Sequence, residues 1–264
     1  MKFEILKNIA LSKNLKNAHD NKEFHLEYQP QYDIRTEKVF GAEALIRWQH
    51  PQQGPIQPRD FISVAERNGM IIPIGKWVIE NVLSLQHHFD HSSQQRIRIA
   101  ANVSGRQLRD PLFVKILDEL ITDSKISPHC LELEITESSI FENYDETISV
   151  LKEIRSLGVR LAIDDFGTGY SSLSHLERLP FDTIKIDISF IRKISKLRVR
   201  LPVLTGMISI AADLGLEVIA EGVETSTQIE FLKTHGCFLV QGHFYNASLE
   251  QNEFLKLLSK QRAE

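Results

Sequence analysis

Leu161-Ala162-Ile163-Asp164-Asp165-Phe166-Gly167-Thr168-Gly169-Tyr170-Ser171-Ser172 has three apolar residues, then two adjacent carboxylates, a turn with two glycines and a Ser pair suited to starting a helix. It reads as the carboxyl end of a strand passing through a sharp turn. Neighbouring carboxylates repel when both are ionised, and a nearby cation is what makes such a pair cheap to hold. A solvated Asp-Asp turn is the plain alternative. The choice depends on what the other strands bring to the same place.

Outward from this stretch, strands and helices alternate. Strand patterns fall at Phe24–Gln29, Val39–Trp48, Ile97–Ser104, Leu131–Thr136, the run into Asp165, Thr183–Asp187, Glu217–Glu221 and Phe238–Gln241. The polar turn Asp33–Lys38 makes the first two an antiparallel hairpin. Glu43 and Arg47 share one face of the second strand, as a metal-and-phosphate pair or as a structural ion pair. Perfect alternation in Leu131–Thr136 puts Glu132 and Glu134 opposite the leucines, with Glu137 just beyond the strand. Lys185 and Asp187 share a face of theirs.

Helices are expected at Glu4–His19, with Ile5, Ile9 and Leu15 buried, and at Pro58–Asn68, closed by Gly69. Others follow at Gly75–Phe89, Asp110–Ile121 and Asp145–Leu157, and from the glycine turn to Leu179. The last three are Val203–Leu214, Thr227–Thr234 and Leu249–Ser259. Trp77, Val78, Val82 and Leu85 point inward.

Eight strands alternating with helices over 264 residues predict a closed (β/α)8 barrel, whose site lies at the carboxyl ends of the strands. Glu43, Asn102, Glu134, Asp164, Asp165, Lys185, Glu221 and Gln241 all fall at or near such ends. That convergence overturns the solvated-turn reading. Oxygen donors without a Cys or His cluster suit Mg2+ or Mn2+ rather than zinc. Paired ions suit in-line attack on a phosphodiester, with Lys185 beside the attacking water and Arg47 on a phosphate.

Composition narrows the class. The chain is 42% hydrophobic and 25% charged, as in ordinary globular domains. A net charge of -4 argues against a nucleic-acid polymer as partner. Two cysteines, Cys130 and Cys237, without a CxxC fit a reducing compartment. The amino terminus, Met1-Lys2-Phe3-Glu4-Ile5-Leu6-Lys7, lacks a long apolar run, so neither a signal peptide nor membrane contact is expected. His87 and His88 lie in a helix and the other histidines are scattered. Gly167-Thr168-Gly169 is not a P-loop, because no Gly-Lys-Ser/Thr follows.

Read together, Gly41-Ala42-Glu43-Ala44-Leu45-Ile46-Arg47-Trp48, Tyr28-Gln29-Pro30, Asn102-Val103-Ser104, Glu134-Ile135-Thr136-Glu137, Asp164 to Ser172, Lys185-Ile186-Asp187, Ala220-Glu221-Gly222-Val223-Glu224 and Gln241-Gly242 resemble the EAL-domain phosphodiesterases of cyclic di-GMP. The resemblance implies a modified TIM-like barrel with one antiparallel strand at its start, and hydrolysis of cyclic di-GMP to 5′-pGpG with two Mg2+ or Mn2+ ions. Ca2+ is expected to inhibit. Glu43, Asn102, Glu134 and Asp164 would hold one metal. Asp164 would bridge to a second, also held by Asp165, and Glu221 would serve as metal ligand or base.

Further roles follow from the resemblance. Glu43, Lys185 and Glu221 are the catalytic set, with Lys185 on the water. Gln29, Leu45, Arg47, Asp187 and Gln241 would contact substrate. Glu137 would anchor the loop Asp165–Ser172, coupling its order to dimerisation. Residues 1–22 form a helical lead-in, 23–258 the phosphodiesterase domain and 259–264 a tail. A homodimer in the bacterial cytoplasm is expected, with sensor or cyclase domains, or a membrane tether, if the parent chain is longer. No Gly-Gly-Asp-Glu-Phe cyclase motif is present. The chain departs from the family pattern at His243 (usually Tyr), Ser248 (Pro) and Ser63 (Pro). A non-catalytic cyclic di-GMP receptor and a protein-binding scaffold are the competing classes.

Overall fold

Strand β1 (Phe24–Asp33) runs antiparallel to the strands along both its edges. One edge pairs with β2 (Lys38–His50). The other pairs with β9 (Leu239–Gln241) and, further back, with the two-residue β10 (Leu249–Glu250). The computed structural model of the chain describes residues 2–89, 97–169, 176–195 and 200–263. From β2 the sheet continues through β4 (Arg98–Asn102), β5 (Leu131–Thr136), β6 (Arg160–Phe166), β7 (Thr183–Ile186) and β8 (Glu217–Ala220) to β9, each neighbour parallel. Because β1 also pairs with β2, the sheet closes into an eight-stranded barrel with one antiparallel member. The expected fold is the observed one. A short β3 (Gly54–Ile56) extends the end of β2.

Helices α1 (Lys2–Asp20), α2 (Pro58–Asn68) and α3 (Ile71–Gln86) come first. Short α4 (Gly105–Leu108) precedes α5 (Phe113–Ser124), and α6 (Glu137–Glu142) precedes α7 (Tyr144–Ser156). Then come α8 (Ile188–Ile191), α9 (Pro202–Asp213), α10 (Ser226–Thr234) and α11 (Gln251–Ala263). Outward-facing strand residues such as Leu131, Leu133, Ile135, Leu161 and Ile163 are fully or almost fully buried under these helices. Leu11, Leu15 and Ala18 seat α1 on the same core. The side chains of Ile5 and Ile9 lie outside the described residues.

Several boundaries move, for local reasons. The first strand continues through Pro30 to Asp33, where its second edge passes from β10 to β9 and leaves Gln29 and Pro30 unpaired on that side. Helix α3 starts at Ile71, four residues before the expected Gly75. Pro73 sits in its first turn, where a backbone N–H has no partner to lose. The helix expected from Asp110 begins at Phe113, because Asp110 Oδ1 accepts from Leu112 N and forms a turn. Final helix α11 runs past Ser259 to Ala263. The helix expected after the glycine turn falls mostly on residues 170–175, outside the described residues.

At the amino-terminal end the barrel is closed by charged side chains. Glu132, with no exposed surface, faces Arg98 at 3.3 Å and Arg160 at 3.3 Å. Glu217 accepts from both arginines at 2.8 Å. Glu132 therefore belongs to this floor and not to the site, although it shares a strand face with Glu134.

Candidate active site

Lys185 projects from the middle of β7 into the carboxyl-terminal mouth of the barrel and has no exposed surface. Its Nζ lies 2.7 Å from Glu134 Oε2 and 2.8 Å from Glu221 Oε1, and 3.2 Å from both Glu43 Oε2 and Asp164 Oδ1. Those carboxyl groups come from β5, the residue just past β8, β2 and β6. One ammonium thus gathers four carboxyl groups from four strands or strand ends. The side chains of Asp164 and Glu221 keep 13% and 17% of their surface, against none for Glu134, so the cluster opens toward solvent on their side.

Asp164 and Asp165 are neighbours, and in a regular strand they would face opposite ways. Two features bring both to the rim. The register of β6 against β7 shifts between Ile163 and Phe166, and Asp165 takes a left-handed backbone at φ 53°. Asp is among the residues that tolerate that conformation. Carboxylate oxygens of Asp164, Asp165 and Glu221 consequently lie within 4.8 Å of one another.

Amides surround Glu43. Asn102 Nδ2 donates to its Oε1 at 2.7 Å, and Gln241 Nε2 donates to its Oε2 at 2.6 Å. Gln241 Nε2 also donates to Gln29 Oε1 at 3.1 Å. The side-chain Oε1 of Gln241 accepts from Gln31 Nε2 at 2.9 Å. An ionised Glu43 can only accept, so the NH2 of Gln241 must face it, and Gln31 supplies the donor that this orientation requires. Gln31 is fully buried and was missed by the sequence reading. Its signal was there: a polar residue two positions after Gln29, on the inward face of β1.

Burial pushes Glu134 well above the carboxylate range, reinforced by Glu43 and Asp164. Burial raises Glu221 to about 8. Burial and then Asp164 raise Asp165. For Glu43 burial acts upward too, but Lys185 and the amides of Gln241 and Asn102 together hold it below its ordinary value. Burial alone would lower Lys185; the four carboxylates more than reverse that and keep it a cation. Carboxyl groups thus outnumber cations in the mouth, and among the described residues Glu134 Oε1 is buried without a hydrogen-bond partner. An all-oxygen donor set, an excess of negative charge and an orphaned carboxylate oxygen fit hard divalent cations. Asp164, Asp165 and Glu221 have ligand oxygens spaced closely enough to hold one together.

Glu137 opens α6 one residue past β5. Its Oε2 accepts from Gly167 N at 2.8 Å and from Gly169 N at 3.2 Å. A side chain at Gly169 would collide with that carboxylate, and one at Gly167 (φ +95°) would enter Met207 and Phe190. The loop after Asp165 is therefore tied to the strand end that carries Glu134. Tyr170, Ser171 and Ser172 lie outside the described residues.

Two clefts flank the cluster. The larger, about 520 Å³, is lined by Leu45, Arg47, Arg59, Asn102, Ser104, Asp164 and Asp165. The smaller, about 290 Å³, is lined by Gln29, Glu43, Arg192, Glu221, Gln241 and His243. Asp187 is absent from both walls: β7 ends at Ile186, and Asp187 caps α8 by accepting from Ser189 N at 3.0 Å.

A family model described as the EAL domain matches residues 12–248. The cyclic di-GMP phosphodiesterase NbdA of Pseudomonas aeruginosa is 38% identical over 241 residues, covering 91% of this chain and 31% of that protein. The cyclic di-GMP phosphodiesterase PdeR of Escherichia coli is 38% identical over 245 residues, 93% of this chain and 37% of its own. This chain spans about a third of the length of both of these relatives. Among solved structures, the MucR phosphodiesterase in complex with c-di-GMP superposes with a TM-score of 0.87 at 33% identity. The match covers 93% of this chain and 99% of that one.

Proposed function

The chain belongs to the EAL-domain family, and from that premise we propose that it hydrolyses cyclic di-GMP to linear 5′-pGpG. One observation carries the reading. Lys185 Nζ holds four carboxyl groups from four strands or strand ends in one rim, flanked by clefts of about 520 and 290 Å³. Two Mg2+ or Mn2+ ions, held by Glu43, Asn102, Glu134, Asp164, Asp165 and Glu221, would supply activation of water and neutralisation of phosphoryl charge.

The chain's own residues do the rest. Arg47 binds a phosphate from the wall of the larger cleft, with Leu45 beside it. Gln29 and Gln241 line the other. Lys185 stays charged, so it orients the attacking water by donation and does not act as a base. Glu221 lies nearer the open side than Glu134 and takes the water's proton once ionised. The water oxygen bonds to phosphorus in line as the bond to the 3′ oxygen breaks; the departing 3′ oxygen takes a proton from solvent, leaving a 3′-hydroxyl on one nucleotide and a 5′-phosphate on the other. Glu137 keeps the loop after Asp165 in place. The catalytic unit is residues 23–258 and works in the cytoplasm as a homodimer.

The test is product formation from cyclic di-GMP by the purified chain in Mg2+, Mn2+, Ca2+ and EDTA, with products resolved. We expect pGpG with Mg2+ and Mn2+ and none with EDTA. Ca2+ should give little, because its longer, looser coordination spoils the alignment of water and phosphorus. Binding without pGpG in Mg2+ and Mn2+ would make the domain a receptor. Absence of binding would leave a scaffold.

Glu137→Ala frees the Gly167 and Gly169 amides without removing a proposed ligand. It should raise the Mg2+ concentration for half-maximal rate by about tenfold or more. Wild-type metal dependence would show that the loop needs no anchor.

Metal binding should also be linked to protons. Glu134 and Glu221 are raised above the ordinary 4.5, so at neutral pH the metal-free protein retains protons that the cation must displace. Affinity for Mg2+ should therefore rise with pH toward about 8. The stability sign is opposite. These groups bind more protons folded than unfolded, so in EDTA the Tm should fall as pH rises from 4.5 toward 8. Saturating Mg2+ should flatten that slope. A pH-independent Tm in EDTA would show that the cluster does not hold those protons.

A further inference from the structure

Arg47 is held along one edge. Its Nε donates to Glu27 Oε2 at 2.8 Å, and its Nη2 donates to Ser248 Oγ at 3.0 Å. Ser248 Oγ in turn donates to the same Glu27 oxygen at 2.6 Å, closing a ring of three side chains. Nη1 donates to the carbonyl of Ile46 at 3.2 Å. The backbone explains the meeting. On the paired strands β1 and β2, Glu27 stands opposite Leu45 and His25 opposite Arg47, so Glu27 and Arg47 are diagonal neighbours. The bridge of β10 to β1 at Glu27 and Tyr28 delivers Ser248, the residue just before β10, to the same carboxylate.

A guanidinium has five N–H groups. Among the described residues three are engaged, which leaves one donor on each terminal nitrogen. Paired donors of this kind match two oxygens of one phosphate. Arg47 also lines the cleft that contains Asn102, Asp164 and Asp165. As an ion pair, Glu27–Arg47 is about a quarter exposed at each end, and such pairs add little to folding. What the ring accomplishes is order in a long, flexible side chain.

We propose that Glu27 and Ser248 are positioning residues for substrate binding: they clamp one edge of Arg47 so that its remaining donors face the phosphate in the cleft. The inference rests on the reading of Arg47 as a phosphate ligand. Without the clamp, Arg47 has to be ordered by the substrate, which weakens binding by about two- to tenfold. The loss falls equally on ground state and transition state, so it belongs to KM and not to kcat.

The experiment compares the wild type with Ser248→Ala, Ser248→Thr, Arg47→Ala and the Ser248→Ala/Arg47→Ala double variant. It measures kcat and KM for cyclic di-GMP in Mg2+, and calorimetric Kd for cyclic di-GMP in EDTA. Ser248→Ala should raise KM and Kd by about two- to tenfold, with kcat within about twofold of wild type. Ser248→Thr keeps the hydroxyl and should restore both. The double variant should bind no worse than Arg47→Ala alone, because Ser248 acts only through Arg47.

Unchanged KM and Kd in Ser248→Ala overturn the clamp, as do additive losses in the double variant. A lower KM in Ser248→Ala also overturns it, showing that Glu27 and Ser248 restrain Arg47 from the substrate. Wild-type binding in Arg47→Ala removes Arg47 from the site, and the clamp with it. If the wild type binds but makes no pGpG, the phosphodiesterase reading fails while the Kd series still decides the clamp.

Discussion

Asp165→Asn should reduce turnover of cyclic di-GMP by about a hundredfold or more at saturating Mg2+, while the fold survives. The substitution removes one charge and changes almost no volume. Asn accepts a left-handed backbone as readily as Asp, so the φ of 53° at this position is not strained further. What is lost is one of three carboxylates whose oxygens lie within 4.8 Å of one another. The Mg2+ requirement should rise by at least about tenfold, since a neutral amide oxygen is the weaker donor to a hard cation. Steady-state rates across a Mg2+ titration, with Tm as the folding control, test this. A well-folded variant with normal rate and normal Mg2+ dependence would remove Asp165 from the chemistry.

Lys185→Met should be damaging in two separable ways. Met has similar length and no charge. It leaves Glu43, Glu134, Asp164 and Glu221 facing one another with no internal cation. Breaking a buried ion pair from one side destabilises by about 3–5 kcal/mol when the remaining charge stays ionised. Protonation of Glu134 and Glu221, both already raised, relieves part of that loss. In EDTA the Tm of the variant should therefore fall below wild type, and fall further as pH rises. Mg2+ should restore much of the Tm, because a cation resupplies positive charge to the carboxylates. Turnover should stay about a hundredfold or more below wild type even then, because the donor proposed to orient the water would be missing. Full recovery of rate with Mg2+ would show that Lys185 only balances charge. A Tm unaffected by Mg2+ would show that the carboxylates take no ion.

Much of this protein was legible in the linear chain. Period-two alternation in Leu131–Thr136 and the helix stop at Gly69 mark where elements run and end. The short turn Asp33–Lys38 makes a hairpin of the first two strands. Strands alternating with helices then leave few architectures, and a closed barrel collects strand ends at one rim. Glu43, Asn102, Glu134, Asp164, Lys185, Glu221 and Gln241 could be grouped on that ground alone, because side-chain direction repeats every second residue along a strand.

Features that break the repeat, or join distant segments, were decided by tertiary structure. Asp164 and Asp165 both reach the rim only because β6 shifts register and Asp165 turns left-handed, a local exception to alternation that depends on how β7 pairs beside it. Glu132 and Glu134 share a strand face but serve opposite ends of the barrel, because two residues of rise separate the ionic floor from the mouth. Gln31 orients Gln241, 210 positions later in the chain, and Ser248 meets Arg47 and Glu27 only where β10 bridges back to β1. A sequence determines which way each residue points from its own strand. Which partner waits there is set by closure of the barrel, and closure also buries the charges deeply enough to move their pKa values.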